Sequence, residues 1–169
     1  MDSKNNLLRE KIYSPTLYQN LLSIIIVHQN QEIIQSLKKI TEQVYQPVEI
    51  IIIDNSTDES YNIFDNYITN NELKNVSLYH TNSKNVYECL NIGLTKSKGN
   101  YIAFQFSQDE SSHLRFLYQI DQLNKRDHIY LPFMSLCLSY SNNETFISPT
   151  SICMSRFAFQ KLGYFDHEL

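Results

Sequence analysis

Val48, Ile50, Ile51, Ile52 and Ile53 run straight into Asp54-Asn55-Ser56-Thr57-Asp58, and this junction limits what the chain can fold into. A strand with one wet face would alternate apolar and polar residues. This one does not, so it reads as buried on both faces, in a parallel sheet. Ligands of open α/β sheets collect beyond the carboxyl ends of strands, where Asp54 stands. A second run, Tyr101-Ile102-Ala103-Phe104-Gln105-Phe106, ends in Ser107-Gln108-Asp109-Glu110 and repeats the design. Two strands that deliver polar clusters to one edge predict a binding crevice there.

The rest of the chain alternates. Leu21 to Val27 reads as a first buried strand, after a tail in which Ile12, Leu17 and Tyr18 are candidates to pack on the domain. Asn30 is placed to cap a helix over Glu32 to Val44, with Ile33, Leu37, Ile40 and Val44 on one face. After Pro47 comes the Val48 strand, then a helix capped by Ser56 or Asp58 whose inner stripe is Ile63, Phe64, Tyr67 and Ile68. Val76 to Tyr79 is a short strand. Val86, Leu90, Gly93 and Leu94 mark a third helix, for which Gly99 is read as the left-handed terminal glycine. The Tyr101 strand, a helix over His113 to Asn124, a less regular stretch, and a short helix from Ser155 to Gly163 complete the chain. Alternation of this kind means right-handed crossovers and a mainly parallel sheet with helices on both faces. Residues 1–20 read as an extension and 21–169 as one domain.

Composition narrows the function. The 169 residues suit one domain with a sizeable core, and a net charge of −4 offers no basic field for nucleic acid. Cys89, Cys137 and Cys153 are an odd, widely spaced set, which points away from a disulfide framework and a zinc knuckle. No apolar run approaches the roughly 20 residues that span a bilayer, and Met1 to Lys11 lacks the apolar centre of a signal peptide. The expectation is a cytoplasmic protein without a transmembrane segment.

The ordered motifs resemble a family-2 glycosyltransferase with the GT-A fold. They are Leu22-Ser23-Ile24-Ile25-Ile26-Val27 with Asn30, Glu49 to Asp54 with Ser56-Thr57-Asp58, Asn91-Ile92-Gly93-Leu94, Lys98 to Phe104, and Lys161-Leu162-Gly163-Tyr164-Phe165-Asp166. The resemblance runs from Leu21 to Leu169. It implies a domain that binds a nucleotide-diphosphate sugar and passes the sugar to an acceptor, usually with inversion. The alternative is a non-catalytic nucleotide-, sugar- or protein-binding module, or an accessory subunit, derived from such an enzyme. A protein partner or a homo-oligomer stays open.

Departures from the family pattern fall on the chemistry. The alternating carboxylates of the DXD motif, which hold a divalent cation against the diphosphate, are replaced by Phe106 and Gln108, leaving Asp109 as a weak metal candidate. Manganese or magnesium is therefore disfavoured. The family's base-contacting segment after the first strand is Val27-His28-Gln29-Asn30, Leu90 stands where an arginine is common, and the Asp54 segment is a residue shorter than its two-acid counterpart. The carboxylate base of inverting members lies shortly after the Gly-x-Phe-Asp segment, whereas this chain closes at Leu169. Its catalytic residues are unassigned. The nucleotide-sugar candidates are Asp54, His28, Asn30, Lys84 and Asp109. Each has a plainer reading: a turn acceptor for Asp54, a satisfied loop histidine for His28, a turn residue for Asn30, a solvated lysine for Lys84 and a helix cap for Asp109.

Overall fold

The computed structural model describes residues 7–13, 20–28, 34–56, 58–106, 111–125, 134–136, 139–141, 144–146 and 149–166. In chain order the elements are β1 (Leu7–Tyr13), β2 (Leu22–His28), α1 (Ile34–Thr41), β3 (Val48–Asp54), α2 (Asp58–Asn70), β4 (Val76–Thr81), α3 (Val86–Lys96) and β5 (Tyr101–Phe106). They continue with α4 (Arg115–Lys125), β6 (Met134–Leu136), β7 (Ser139–Ser141), β8 (Glu144–Phe146), a 3-10 turn at Pro149–Ser151, β9 (Ile152–Ser155) and α5 (Arg156–Leu162).

Parallel pairing joins the four expected central strands. Leu22 to His28 lie opposite Val48 to Asp54, β3 pairs parallel with β4, and β5 pairs parallel with β2 from its other side. The full order is β1-β4-β3-β2-β5-β9-β6, with β1, β9 and β6 running antiparallel to their neighbours. The N-terminal extension thus supplies an edge strand, and β7 and β8 form a separate hairpin.

Strand alternation divides the core between two faces. Leu22, Ile24, Ile26, Ile50, Ile52 and Leu78 face α1, α2 and α4 through Leu37, Ile40, Phe64, Ile68, Phe116 and Ile120. Ile25, Val27, Ile51, Ile53 and Phe104 face α3 and α5 through Leu90, Leu94 and Ala158. Burying each such side chain contributes about 1.5–3 kcal/mol, which accounts for apolar runs without polar interruption.

Three expectations need correction. α1 ends at Thr41, so Val44 lies in the connection, 52% exposed, with its N–H on the His113 carbonyl. Ile63 is 48% exposed because the inner stripe of α2 begins at Tyr61; two residues on is roughly 200° around the helix. Gly99 is not a left-handed terminus: α3 ends at Lys96 with Ser97 as its extended cap, and positive φ among the described glycines belongs to Gly163 at 83°.

Close approach is what Gly99 provides. A Cβ there would stand 2.5 Å from the Leu21 carbonyl oxygen and 2.7 Å from the Ser23 nitrogen. Its N–H donates to Ser23 Oγ and to the Glu49 carboxylate, which also receives the Lys98 N–H. Backbone atoms on both sides cannot yield, so Gly99→Ala is expected to cost about 3 kcal/mol, at the upper end of overpacking. Urea unfolding checks this, and a loss below about 1 kcal/mol would show that the β2 end relaxes freely.

Candidate functional site

The order β4-β3-β2-β5 contains a reversal. From β2 the chain moves one way to β3 and β4, then crosses back to β5 on the far side of β2. α1 and α4, which follow β2 and β5, lie on the same face of the sheet, and ligands of open α/β sheets gather beyond the strand ends at such a reversal. His28 and Phe106 end β2 and β5 at this edge, with His28 buried beneath Phe64 of α2.

Beside it, Asp54 is fully buried and bound on both carboxylate oxygens. His28 Nδ1 lies 2.9 Å from Oδ1, and His80 Nδ1 lies 2.9 Å from Oδ2. The Ser56 hydroxyl and N–H also donate to Oδ1. Strand register creates this row, because His28 is opposite Asp54 and Asp54 is opposite His80, all on the face that α2 covers. Phe64 of α2 meets the His28 ring edge-on at 4.6 Å, and Tyr61 meets His80 at 5.4 Å. Burial by itself would raise the Asp54 carboxyl. The hydrogen bonds from His28, Ser56 and His80 outweigh it and hold the carboxyl below its ordinary range.

Lys84 stands on the neighbouring loop. Its Nζ donates to the Asn55 carbonyl at 3.0 Å, and Asn55 Nδ2 donates to the Ser83 carbonyl at 2.9 Å. The loops after β3 and β4 are thereby tied together, and the exposed lysine is held at the carboxyl edge. Ser83 bonds the Glu88 carboxylate, and Asn85 caps α3 by accepting from the Tyr87 and Glu88 N–H groups. Cys89, beneath this loop, is buried, and burial pushes its thiol up to about 11; it stays protonated and is no nucleophile at neutral pH.

At the end of β5, Gln105 is engaged from below. Its Oε1 receives Arg115 Nη1 at 2.7 Å and the Ser111 hydroxyl at 2.7 Å. Phe106 is half-buried and packs on the core face shared with α3 and α5. A groove of about 470 Å³, lined by Lys39, Glu42, Ser111, Ser112 and His113, lies on the α1 side. Among the described residues no three His, Cys, Asp or Glu side chains cluster to hold a metal.

Of the residues singled out from the sequence, the structure joins Asp54 with His28 and sets Lys84 on the adjoining loop. Asn30 and Asp109 lie outside the described residues, as do Gln108, Glu110 and Glu168. Asn91 clamps Phe165 through two backbone bonds of 2.8 and 2.9 Å, so two motifs far apart in sequence meet in space. The structure adds His80, because β4 runs on to Thr81 beyond the expected end at Tyr79. Its signal in the sequence is alternation, since Val76, Leu78 and His80 share a face.

A parallel sheet with a reversal point, motif-bearing loops at its carboxyl edge and antiparallel strands appended beyond β5 defines an α/β domain of the GT-A type. Residues 23–136 match the family described as Glycosyl transferase family 2, and the chain belongs to that family. It is 26% identical over 147 residues to the glycosyltransferase GlyG of Streptococcus pneumoniae serotype 4, covering 84% of this chain and 48% of that protein. It is 39% identical over 93 residues to an uncharacterized glycosyltransferase of Haemophilus influenzae, covering 53% of this chain and 36% of the other. Among solved structures, the mannosyltransferase PcManGT from Pyrobaculum calidifontis, in complex with GDP-Man and Mn2+, superposes with a TM-score of 0.73 at 15% identity, covering 93% of this chain and 50% of that one. S. aureus TarS 1-349 in complex with UDP-GlcNAc gives 0.63 at 19% identity, covering 88% and 49%. At those identities the likeness is one of fold. The chain spans about half the length of the first of the curated relatives it matches. No helix among the described residues is long and apolar enough to cross a membrane.

Proposed function

We propose that this domain binds a nucleotide-diphosphate sugar in the crevice between the ends of β2 and β5, as the donor-binding part of a glycosyltransferase. The observation that carries the reading is the coincidence of the reversal point with the family's motif residues on its rim. Asp54 and His28 fix the edge, Lys84 offers a cation to the diphosphate, and Asn30 and Asp109 follow β2 and β5 in sequence. In transfer with inversion, the acceptor oxygen bonds the anomeric carbon as the bond to the diphosphate breaks, and a base takes the hydroxyl proton. No residue of this chain is assigned that last role.

The described residues at the end of β5 offer little to a divalent cation. Phe106 has no ligating atom, and Gln105 is committed to Arg115 and Ser111. Binding in this proposal rests on the protein's own groups, with Lys84 offsetting part of the diphosphate charge. Calorimetry with UDP- and GDP-linked sugars is expected to show weak binding that changes less than about threefold between manganese and chelator, because a hard cation needs several oxygen ligands. Hydrolysis of the donor should be slow or absent in this chain. Tight manganese-dependent binding, or robust turnover, would show that Asp109 or another carboxylate completes a metal site.

The burial of Asp54 supports a second reading, a non-catalytic module that keeps the family fold. A carboxylate already holding four donor groups of its own protein has little capacity left for a ligand. Nucleotide binding without any transfer would select this reading.

A further inference from the structure

We propose that His80, two strands away from the crevice, is a positioning residue that fixes the proton arrangement of His28 through Asp54, and that nucleotide binding follows the state of this three-residue array. The nucleotide half of the proposal rests on the function proposed above; the proton half does not.

An ionised carboxylate can only accept hydrogen bonds. Asp54 faces Nδ1 of His28 with one oxygen and Nδ1 of His80 with the other, each at 2.9 Å. Both Nδ1 atoms must therefore carry a proton. That settles the tautomer of each neutral ring, with its proton on Nδ1. Strands are spaced by about 4.8 Å, so the array carries this information roughly 10 Å, from β4 to the end of β2 at the crevice.

The surroundings make the array a unit. Ser56 adds its donors on the Oδ1 side, so His80 is the imidazole partner of Oδ2. From α2, Phe64 holds His28 and Tyr61 holds His80, while the Arg9 guanidinium of β1 stacks on the outer side of Tyr61 at 5.2 Å. Lys84 approaches from the loop, on the Asn55 carbonyl. Without the His80 donor, Oδ2 loses a hydrogen bond and the carboxylate is freer to turn, so the bond from His28 Nδ1 to Oδ1 is no longer fixed in place.

The test uses three variants of the full chain. In His80→Asn the side-chain amide donates from nearly the position of Nδ1. In His80→Gln the amide is carried past Asp54 while polarity is kept, and His80→Phe removes the donor altogether. Nitrogen NMR of the His28 ring reads its tautomer, and calorimetry with UDP and GDP reads binding. The expected wild-type spectrum has the proton on His28 Nδ1, and His80→Asn leaves both it and the affinity within about twofold. His80→Gln and His80→Phe should mix the two His28 tautomers and weaken the nucleotide about tenfold. A wild-type His28 protonated only on Nε2, or a His28 tautomer unmoved in folded His80→Gln, overturns the proposal. If His28 responds as expected while nucleotide affinity does not, the positioning role fails and the array is structural. If wild-type protein binds neither UDP nor GDP, the donor-binding reading falls, and the spectra still decide the proton half.

Discussion

Replacing Arg115 with methionine is expected to lower the stability of the domain by about 4 kcal/mol, the largest effect of any single substitution argued for this chain. Arg115 is buried at the start of α4, and its guanidinium reaches four separate parts of the fold. Nη1 donates to Gln105 Oε1 at 2.7 Å and Ser111 Oγ at 2.9 Å, and Nε donates to Gln119 Oε1 at 3.1 Å. Nη2 donates to the Phe104 carbonyl at 3.2 Å and to the Thr150 carbonyl. Methionine fills much of the volume but leaves these acceptors with fewer partners, and each buried unsatisfied group costs about 1–3 kcal/mol. The fork geometry matters as much as the charge, so Arg115→Lys should recover only about half of the loss. Urea denaturation of the three proteins measures it. A methionine variant within about 1 kcal/mol of wild type would mean that the β5 end, α4 and the 149–151 turn are held together by packing alone.

Arg115 also shows where sequence reading stops. Continuous apolar runs made β2, β3 and β5 legible because burial on both faces is written directly into residue type. Ser155 and Gly163 announced the ends of α5 for equally local reasons: the serine hydroxyl accepts the Ala158 N–H, and the glycine adopts a φ of 83°. Arg115, by contrast, sits in a polar-looking segment, and its burial depends on Gln105 and Thr150 arriving from elsewhere. The same holds for His80, whose partner is fixed by the register of β3 against β4, and for Gly99, whose constraint is the backbone of β2. The pairing of β1 with β4, and of β9 and β6 beyond β5, leaves no local mark, since a short antiparallel edge strand has no distinctive pattern. Asp54 was visible as a strand-end carboxylate; that its partners are two histidines of its own sheet was not.

Asp54→Asn is the second large effect, expected to cost about 3 kcal/mol at neutral pH. The amide has one acceptor oxygen and a donor where the second oxygen was, so one of the two imidazoles meets an N–H instead of an acceptor. That ring must move its proton to Nε2 or lose the bond. The pH dependence has a definite sign. The folded-state carboxyl is held below its usual value of 3.8, with burial opposing and the His28, Ser56 and His80 hydrogen bonds prevailing. A carboxyl lowered in the folded state contributes stability that is fully present above its unfolded value and is lost as pH falls through its folded value. The gap between wild type and Asp54→Asn should therefore hold its full width from neutral pH down to about pH 5, and narrow only below about pH 4. Chemical denaturation of both proteins across that range measures the gap directly. A gap that widens toward acid would mean that Asp54 is bound in its protonated form, and that the histidine row is held by something other than a shared carboxylate charge.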